Sequence, residues 1–281
     1  MQINQYLIKI LEFLDNEENK VSLNKNINLF SFLSTTSIIF NMLNVFMSEN
    51  SYNSFLEKYS IIDCDIKHKK ALMKRKIAES ISKYLDKELL KQANAYTDNL
   101  KSMLKKLHYT IIDVKIITRT KMLVGVSTSL GKLVFESGIS FDPYMNLPYI
   151  PASEIKGIIR SYIEDKLGEQ EAKEIFGDTE REGSINFTDA YPVRAENFVF
   201  VPDVITPHYS KKKSEADAEP TPIIHLTIAP KVTFRFLIYY KREDVGKPVC
   251  DTLPIVVIKG LGARSSVGYS LFELTGLEVV R

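Results

Sequence analysis

Two patterns of apolar and polar spacing divide this chain. From Ile66 to Leu107 apolar residues return at Met73, Ile77, Ile81, Leu85, Leu89, Ala93, Tyr96, Leu100, Leu104 and Leu107. Steps of three and four predict an amphipathic helical region, either one long helix or two in succession. From Tyr109 the pattern changes to short β-rich runs at 111–117, 122–127, 132–135, 184–187, 198–201, 223–228, 231–240 and 269–280. One helix stands clear among them: Ile155, Ile158, Ile159, Tyr162, Ile163 and Leu167 follow Ser153, read as an N-cap, and stop at Gly168. A shorter helix is predicted over Glu169–Phe176, ended by Gly177. Strands outnumber helices and do not alternate with them, which predicts an α+β fold rather than a doubly wound sheet.

The chain breakers agree with this division. All twelve glycines lie at or after Gly125 and all eleven prolines at or after Pro143. A stretch free of both suits helices and few turns. The 281 residues are therefore read as a helical region, 1–108, followed by a domain over 109–281. The uncharged stretch 26–48 approaches the length of a membrane span, about 20 apolar residues. Asn28, Ser31, Ser34 to Ser37, Asn41 and Asn44 interrupt it, so a buried helical piece is expected there and no membrane partner.

A net charge of +2 excludes a grossly basic nucleic-acid coat and leaves room for a local basic groove. Up to residue 110 sixteen Lys and Arg face twelve Asp and Glu, and the densest patch is Lys67 to Lys70 with Lys74, Arg75 and Lys76. Such runs form solvated helix faces. Two distant cysteines, Cys64 and Cys250, suggest neither a disulfide framework nor a Cys-based zinc site and fit a reducing, cytoplasmic setting. No secretory signal opens the sequence. His68, His108, His208 and His225 never pair at ligand spacing, so no metal site and no cofactor is expected.

Chemistry concentrates in two loops. Gly260, Gly262 and Gly268, with Arg264, Ser265 and Ser266 between them, form a glycine-rich loop after an apolar run and before the last strand. Its spacing excludes a Walker A loop, since five residues separate Gly262 from Gly268 and no lysine follows. It excludes a dinucleotide fingerprint too, because Ser265 stands where a third glycine is needed. Converging N–H groups beside Arg264 and two hydroxyls can hold a phosphate chain. Glycines serving only a tight helix-to-strand turn account for the loop equally well. The second loop, 206–222, carries His208, Tyr209, Lys211, Lys212 and Lys213 ahead of Glu215, Asp217 and Glu219. It reads as a long mobile connection whose aromatic can stack on a base while its lysines hold phosphates. Asp189 and Asp203 read as strand-end or turn residues.

Several motifs in order resemble one family. Glu136-Ser137-Gly138-Ile139 resembles a Glu-Thr-Gly-Leu strand, and the run from Leu147 to Arg160, Leu-Pro-Tyr-Ile-Pro-Ala-Ser-Glu-Ile-Lys-Gly-Ile-Ile-Arg, resembles a Pro-Tyr-Ile-Pro-Gly-Ser-Ser-Leu-Lys-Gly helix entry. Ile175 to Gly177, Gly183 to Pro192, Asp203 to Tyr209 and the Gly260 to Ser270 loop continue the match. They are similar to the RAMP superfamily of CRISPR proteins, and within it to the sixth subunits of type III-B Cmr effector complexes. The similarity covers roughly residues 110 to 281.

The resemblance implies a ferredoxin-like, RRM-related fold with insertions, preceded here by the N-terminal helical region. It also implies a non-catalytic RNA-binding subunit in antiviral defence that caps the backbone filament near the 3′ end of the CRISPR RNA. The partners implied are CRISPR RNA, target RNA and the other Cmr subunits. Ser153, Lys156 and Arg160 at the helix start join the two loops as the expected RNA contacts, Lys156 and Arg160 being one turn apart. An alternative gives His208 a general acid or base role in RNA cleavage, as in RAMP relatives that process CRISPR RNA. Two departures stand out. Ala152 and Ser270 occupy positions where the family carries glycine, and both residue types disfavour positive φ.

Overall fold

A computed structural model describes residues 28–34, 74–75, 77–79, 81–82, 85–125, 130, 134–135, 137–205 and 223–281. The chain forms two compact units, one of residues 1–85, 127–138 and 200–227, the other of 86–126, 139–199 and 228–281. In the first unit, residues 29–34 are helical. They begin where Asn28 Oδ1 accepts the Ser31 amide at 2.9 Å, and they bury Leu29 and Leu33. Helical residues between 74 and 82 bury Ile77, Ala78 and Ile81. The unit's two-stranded sheet pairs Phe200–Ile205 with Ile223–Ile228.

The second unit is built on an antiparallel sheet. Its elements in chain order are helix α1 (Lys87–Lys106), strands β1 (Thr110–Thr118), β2 (Phe141–Asp142) and β3 (Leu147–Pro148), and helices α2 (Ala152–Leu167) and α3 (Glu169–Phe176). Strands β4 (Ile185–Phe187) and β5 (Tyr191–Ala195) follow. With the first unit's pair numbered β6 and β7, the chain then runs through β8 (Val232–Tyr240), α4 (Gly246–Lys259) and β9 (Phe272–Val280).

Strands β1 and β8 lie at the centre of the sheet, β9 flanks β1, and β4 and β5 both flank β8. Traced through β1, α2, β4 with β5, β8, α4 and β9, this is the β-α-β-β-α-β ferredoxin-like order. The sequence-based fold class is the one observed.

Alternation sorts the central strands into two faces. Ile112, Val114 and Ile116 of β1 lie on the side of Phe234, Phe236 and Ile238 of β8, all fully buried. Helices α2 and α4 close this side, and Gly246 at the start of α4 comes so near Tyr240 that a Cβ there would sit 2.1 Å from the phenol oxygen. On the other face, Ile111 and Leu237 pack with Leu104 of α1, beside Leu100, Tyr109 and Tyr239.

Helix α1, which precedes the change of pattern at Tyr109, thus packs on the strands that follow it. It starts at Asp86, whose carboxylate accepts the Glu88 amide at 2.9 Å, and its last turn carries Lys105 and Lys106 against the dipole. A buried ion network latches it to the sheet. Arg235 of β8 gives Nε and Nη2 to the two oxygens of Asp113 at 2.9 and 2.6 Å and Nη1 to Asp98 and Asn94 at 2.7 and 2.8 Å. Lys101 bridges Asp113 and Glu278 at 2.9 and 2.8 Å. Burial opposes ionisation of Asp113, yet the Arg235 and Lys101 hydrogen bonds outweigh it and hold the carboxyl below its usual range.

Three sequence-based expectations change, and two further elements stand where the sequence marks none. The run 122–127 forms no strand: Met122 and Leu123 make single bridges to Ile228 and Ala263, and 126–127 fall outside the described residues. In the run 132–135, Val134 and Phe135 lie in a turn and a bend, and 132–133 are outside the described residues. Strand β5 and helix α4 were not anticipated. Helix α4 hides because Gly246, Pro248 and Pro254 punctuate a β-branched sequence; Pro254, which lies inside the helix, is exposed. The helix around Ser153 begins earlier than expected, at Ala152, with Pro151 as N-cap, so Ser153 is an exposed first-turn residue rather than the cap.

Candidate nucleic-acid interface

The glycine-rich loop leaves the C-terminus of α4 and re-enters the sheet at β9. Gly260 ends the helix at φ 108°, its amide reaching Val256 O at 3.1 Å. Gly262 is at φ 127°, and a Cβ there would meet Leu123 O at 2.7 Å. These two glycines therefore serve close approach within the protein, which is the turning role the sequence left open. Ala263 and Leu261 then donate to Leu123 O and Ser270 O at 2.9 and 3.0 Å, and the Ser270 amide donates to Lys121 O at 2.9 Å.

Ser270 departs from the expectation for serine by taking φ 58°. Its hydroxyl stabilises the left-handed turn, lying 3.2 Å from both the amide and the carbonyl of Leu123 and 3.1 Å from Ala263 O. The amides of Ser270 and Ala152 are both used internally, Ala152 donating to Asp189 Oδ1 at 2.7 Å.

The outer arc of the loop is free for a ligand. Arg264 takes the left-handed conformation at φ 60° and is exposed, as are Ser266 and Gly268, while Ser265 is half-buried. Among the described residues the amides of Gly262, Arg264, Ser265 and Ser266 donate to no acceptor, and Arg264 has no ion pair. Successive free N–H groups around a cation make an anion-binding concavity.

A hydrogen-bonded seam connects this loop to the start of α2. Leu123 holds Ala263, the next residue's carbonyl, Val124 O, accepts Ser140 N at 3.1 Å, and Ser140 O accepts Tyr149 N at 3.1 Å. Ile150 and Ala190 then exchange bonds of 3.0 and 2.9 Å, next to the Asp189 carboxylate that receives the first amide of α2. The topology agrees, since α2 follows the Thr118 end of β1 and the loop precedes Phe272, the partner of Thr118.

The helix start itself is only partly available. Lys156 is half-buried and has no ion pair among the described residues, and Ser153 is exposed. Arg160, expected beside Lys156 on phosphate, is engaged elsewhere: its Nη1 donates to Gly177 O at 3.1 Å and its Nε lies 3.7 Å from Glu164. It fastens α2 to the end of α3. Burial pushes the Glu154 carboxyl up.

Two cations that the sequence motifs do not single out join the site. The Arg119 amide donates to Leu271 O at 2.8 Å, and Lys121 O accepts Ser270 N, so both residues border the exit of the glycine loop. Arg119 is exposed and has no ion pair among the described residues. Their signal was their place just past the apolar run of β1. His208, Tyr209, Lys211, Lys212 and Lys213 lie outside the described residues, as do Lys67 to Lys70. Among the described residues no group of three His, Cys, Asp or Glu side chains could hold a metal ion. No helix there is long and apolar enough to cross a membrane.

Comparison with known proteins agrees with the fold. The family model of the RAMP superfamily matches residues 115–273. The CRISPR system CMR subunit Cmr6 of Saccharolobus solfataricus is 64% identical over all of this chain and 99% of its own length. The Cmr6 subunit of Pyrococcus furiosus is 22% identical, over 62% of this chain and 69% of the relative. Among solved structures, a chain of the type III-B Cmr-beta complex, imaged by cryo-EM bound to cognate target RNA, superposes with a TM-score of 0.84 at 62% identity, covering 99% of both chains.

Proposed function

The chain belongs to the RAMP superfamily and, within it, to the Cmr6 family, and on that footing we propose that it is a non-catalytic RNA-binding and architectural subunit of a type III-B effector. In this role it caps the backbone filament near the 3′ end of the CRISPR RNA and holds that RNA at the end of the sheet where the glycine loop meets α2. The observation that carries this is the occupied sheet face. An RRM-type sheet reads single-stranded RNA by stacking bases on aromatics at the centre of its open face. Here those positions hold Asp113 and Arg235, both buried beneath α1. RNA is therefore left with the loop end, whose free amides, Arg264, Arg119 and Lys156 suit phosphate rather than base edges.

The test is a salt titration of CRISPR RNA binding by the full chain with Lys156 and Arg264 both changed to Ala. Each lost single-strand phosphate contact lowers the slope of log K against log salt by about 0.7, so the pair lowers it by about 1.4, equally for unrelated RNA sequences. An unchanged slope contradicts the proposal.

A further inference from the structure

Outside the phosphate-binding elements, one aromatic ring among the described residues lies almost wholly in solvent. Tyr144, at the tip of the β2–β3 hairpin, is 97% exposed, more than any other large hydrophobic residue among those described. The turn beneath it is rigid. Asp142 Oδ1 accepts the amides of Tyr144 and Met145 at 2.8 and 3.1 Å, Asn146 takes φ 54°, and Phe141 pairs with Pro148 across the base. The other oxygen of Asp142 accepts the Tyr191 hydroxyl at 2.7 Å. Tyr191 in turn meets Tyr149 with ring centroids 6.0 Å apart, tilted by 33°, and meets Tyr96 edge-on at 6.0 Å. Burial, with the Asp142 hydrogen bond second, pushes the Tyr191 phenol far up, so it stays a donor and the anchor is permanent.

We propose that Tyr144 is a base-stacking residue that receives a nucleobase of the RNA strand whose phosphates the glycine loop and α2 hold. This rests on the RNA-binding reading above. Three observations point to a base. The hairpin springs from the seam that joins the two phosphate elements, since Ser140 and Tyr149, at its two feet, are hydrogen-bonded to each other and Ser140 to Val124. Its tip is four residues from that seam, roughly 13 Å of extended chain. Between Leu107 and Leu167 no other exposed large hydrophobic residue occurs among the described residues, so the hairpin presents a single ring rather than an apolar run. Finally, Asp142, Tyr191 and Asn146 preset the turn without touching the ring, so stacking does not have to order the backbone first. A tyrosine presented this way accepts any base, because every base has a π-face.

The experiment measures CRISPR RNA binding by the full chain carrying Tyr144→Ala or Tyr144→Phe, across a salt series. Tyr144→Ala is expected to weaken binding on the order of 10-fold at every salt concentration with the slope unchanged, while Tyr144→Phe keeps the parent affinity. RNA carrying 4-thiouridine should photo-crosslink to the peptide containing Tyr144 in the parent. Parent-like affinity of the Ala variant, or absence of that crosslink, overturns the proposal. So does a variant that binds RNA normally but no longer assembles with neighbouring subunits, which would make the ring a protein contact. The outcomes separate the two readings. Loss of the slope change in the Lys156 and Arg264 variant removes the phosphate site, whereas a normal slope change with a silent Tyr144→Ala removes only the stacking residue.

Discussion

Replacing Asp113 by Ala isolates what the buried ion network contributes. Asp113 and Arg235 side chains are 4% and 5% exposed, and they meet through two parallel hydrogen bonds. Removing the carboxylate leaves Nε and Nη2 of Arg235 buried without an acceptor. Breaking a buried pair in this way costs about 3–5 kcal/mol. Arg235 keeps Asp98 and Asn94, and Lys101 keeps Glu278, so the expected loss is smaller, about 2–4 kcal/mol. Urea unfolding followed by circular dichroism reads this as a lower midpoint at unchanged slope.

Replacing both partners, Asp113→Leu with Arg235→Met, removes charge and countercharge together and should cost less than the sum of the single changes. The acid limb gives a second check. Because the folded-state value of Asp113 is held below its unfolded one, its contribution is fully present above about pH 3.9 and is lost as pH falls through the lower folded value. Parent and Asp113→Ala stabilities should therefore converge in acid. A neutral-pH loss under about 0.5 kcal/mol, or simple additivity in the double variant, would refute the latch.

Gly262→Ala should destabilise the chain by more than about 1 kcal/mol and weaken RNA binding, because the new Cβ meets Leu123 O at 2.7 Å at φ 127°; thermal denaturation with an RNA titration checks both effects. Asp189→Ala should cost about 1 kcal/mol by removing the acceptor of the Ala152 amide, and faster hydrogen exchange in the first turn of α2 would report it. His208→Ala should leave target-RNA cleavage by the assembled complex intact, while a loss on the order of 100-fold with normal assembly would make His208 a general acid or base and overturn the non-catalytic reading.

Local signals told the sequence reading what each segment is. The helical spacing through Ala93, Leu100 and Leu104 in α1, the Gly168 and Gly177 stops, and the apolar runs of β1 and β8 are consequences of neighbours along the chain, so they were legible in the sequence, although the buried stripe of α1 runs through Leu90 and Thr97 and leaves Tyr96 and Leu107 exposed. The order of motifs also carried the superfamily. Where a residue's role depends on a distant partner, the sequence was silent or misleading. Ser153 reads as a cap, but the first amide of α2, that of Ala152, is taken by Asp189, 37 residues on. Arg160 reads as a phosphate ligand, but the carbonyl of Gly177 takes it. Helix α4 hides behind Pro254 because only packing shows that this proline faces solvent.

The sequence by itself thus determined the α+β class, the positions of most elements and the existence of a flexible-backbone loop with a cation at its crest. Only the tertiary structure decided that α1 lies across the sheet, since Asn94 and Arg235, which tie the two together, are 141 residues apart and nothing local predicts their pairing. It also decided that Gly262 serves Leu123 while Arg264 is left outward. Local periodicity fixes which face of an element is apolar, and the closure of long loops fixes which other element that face meets.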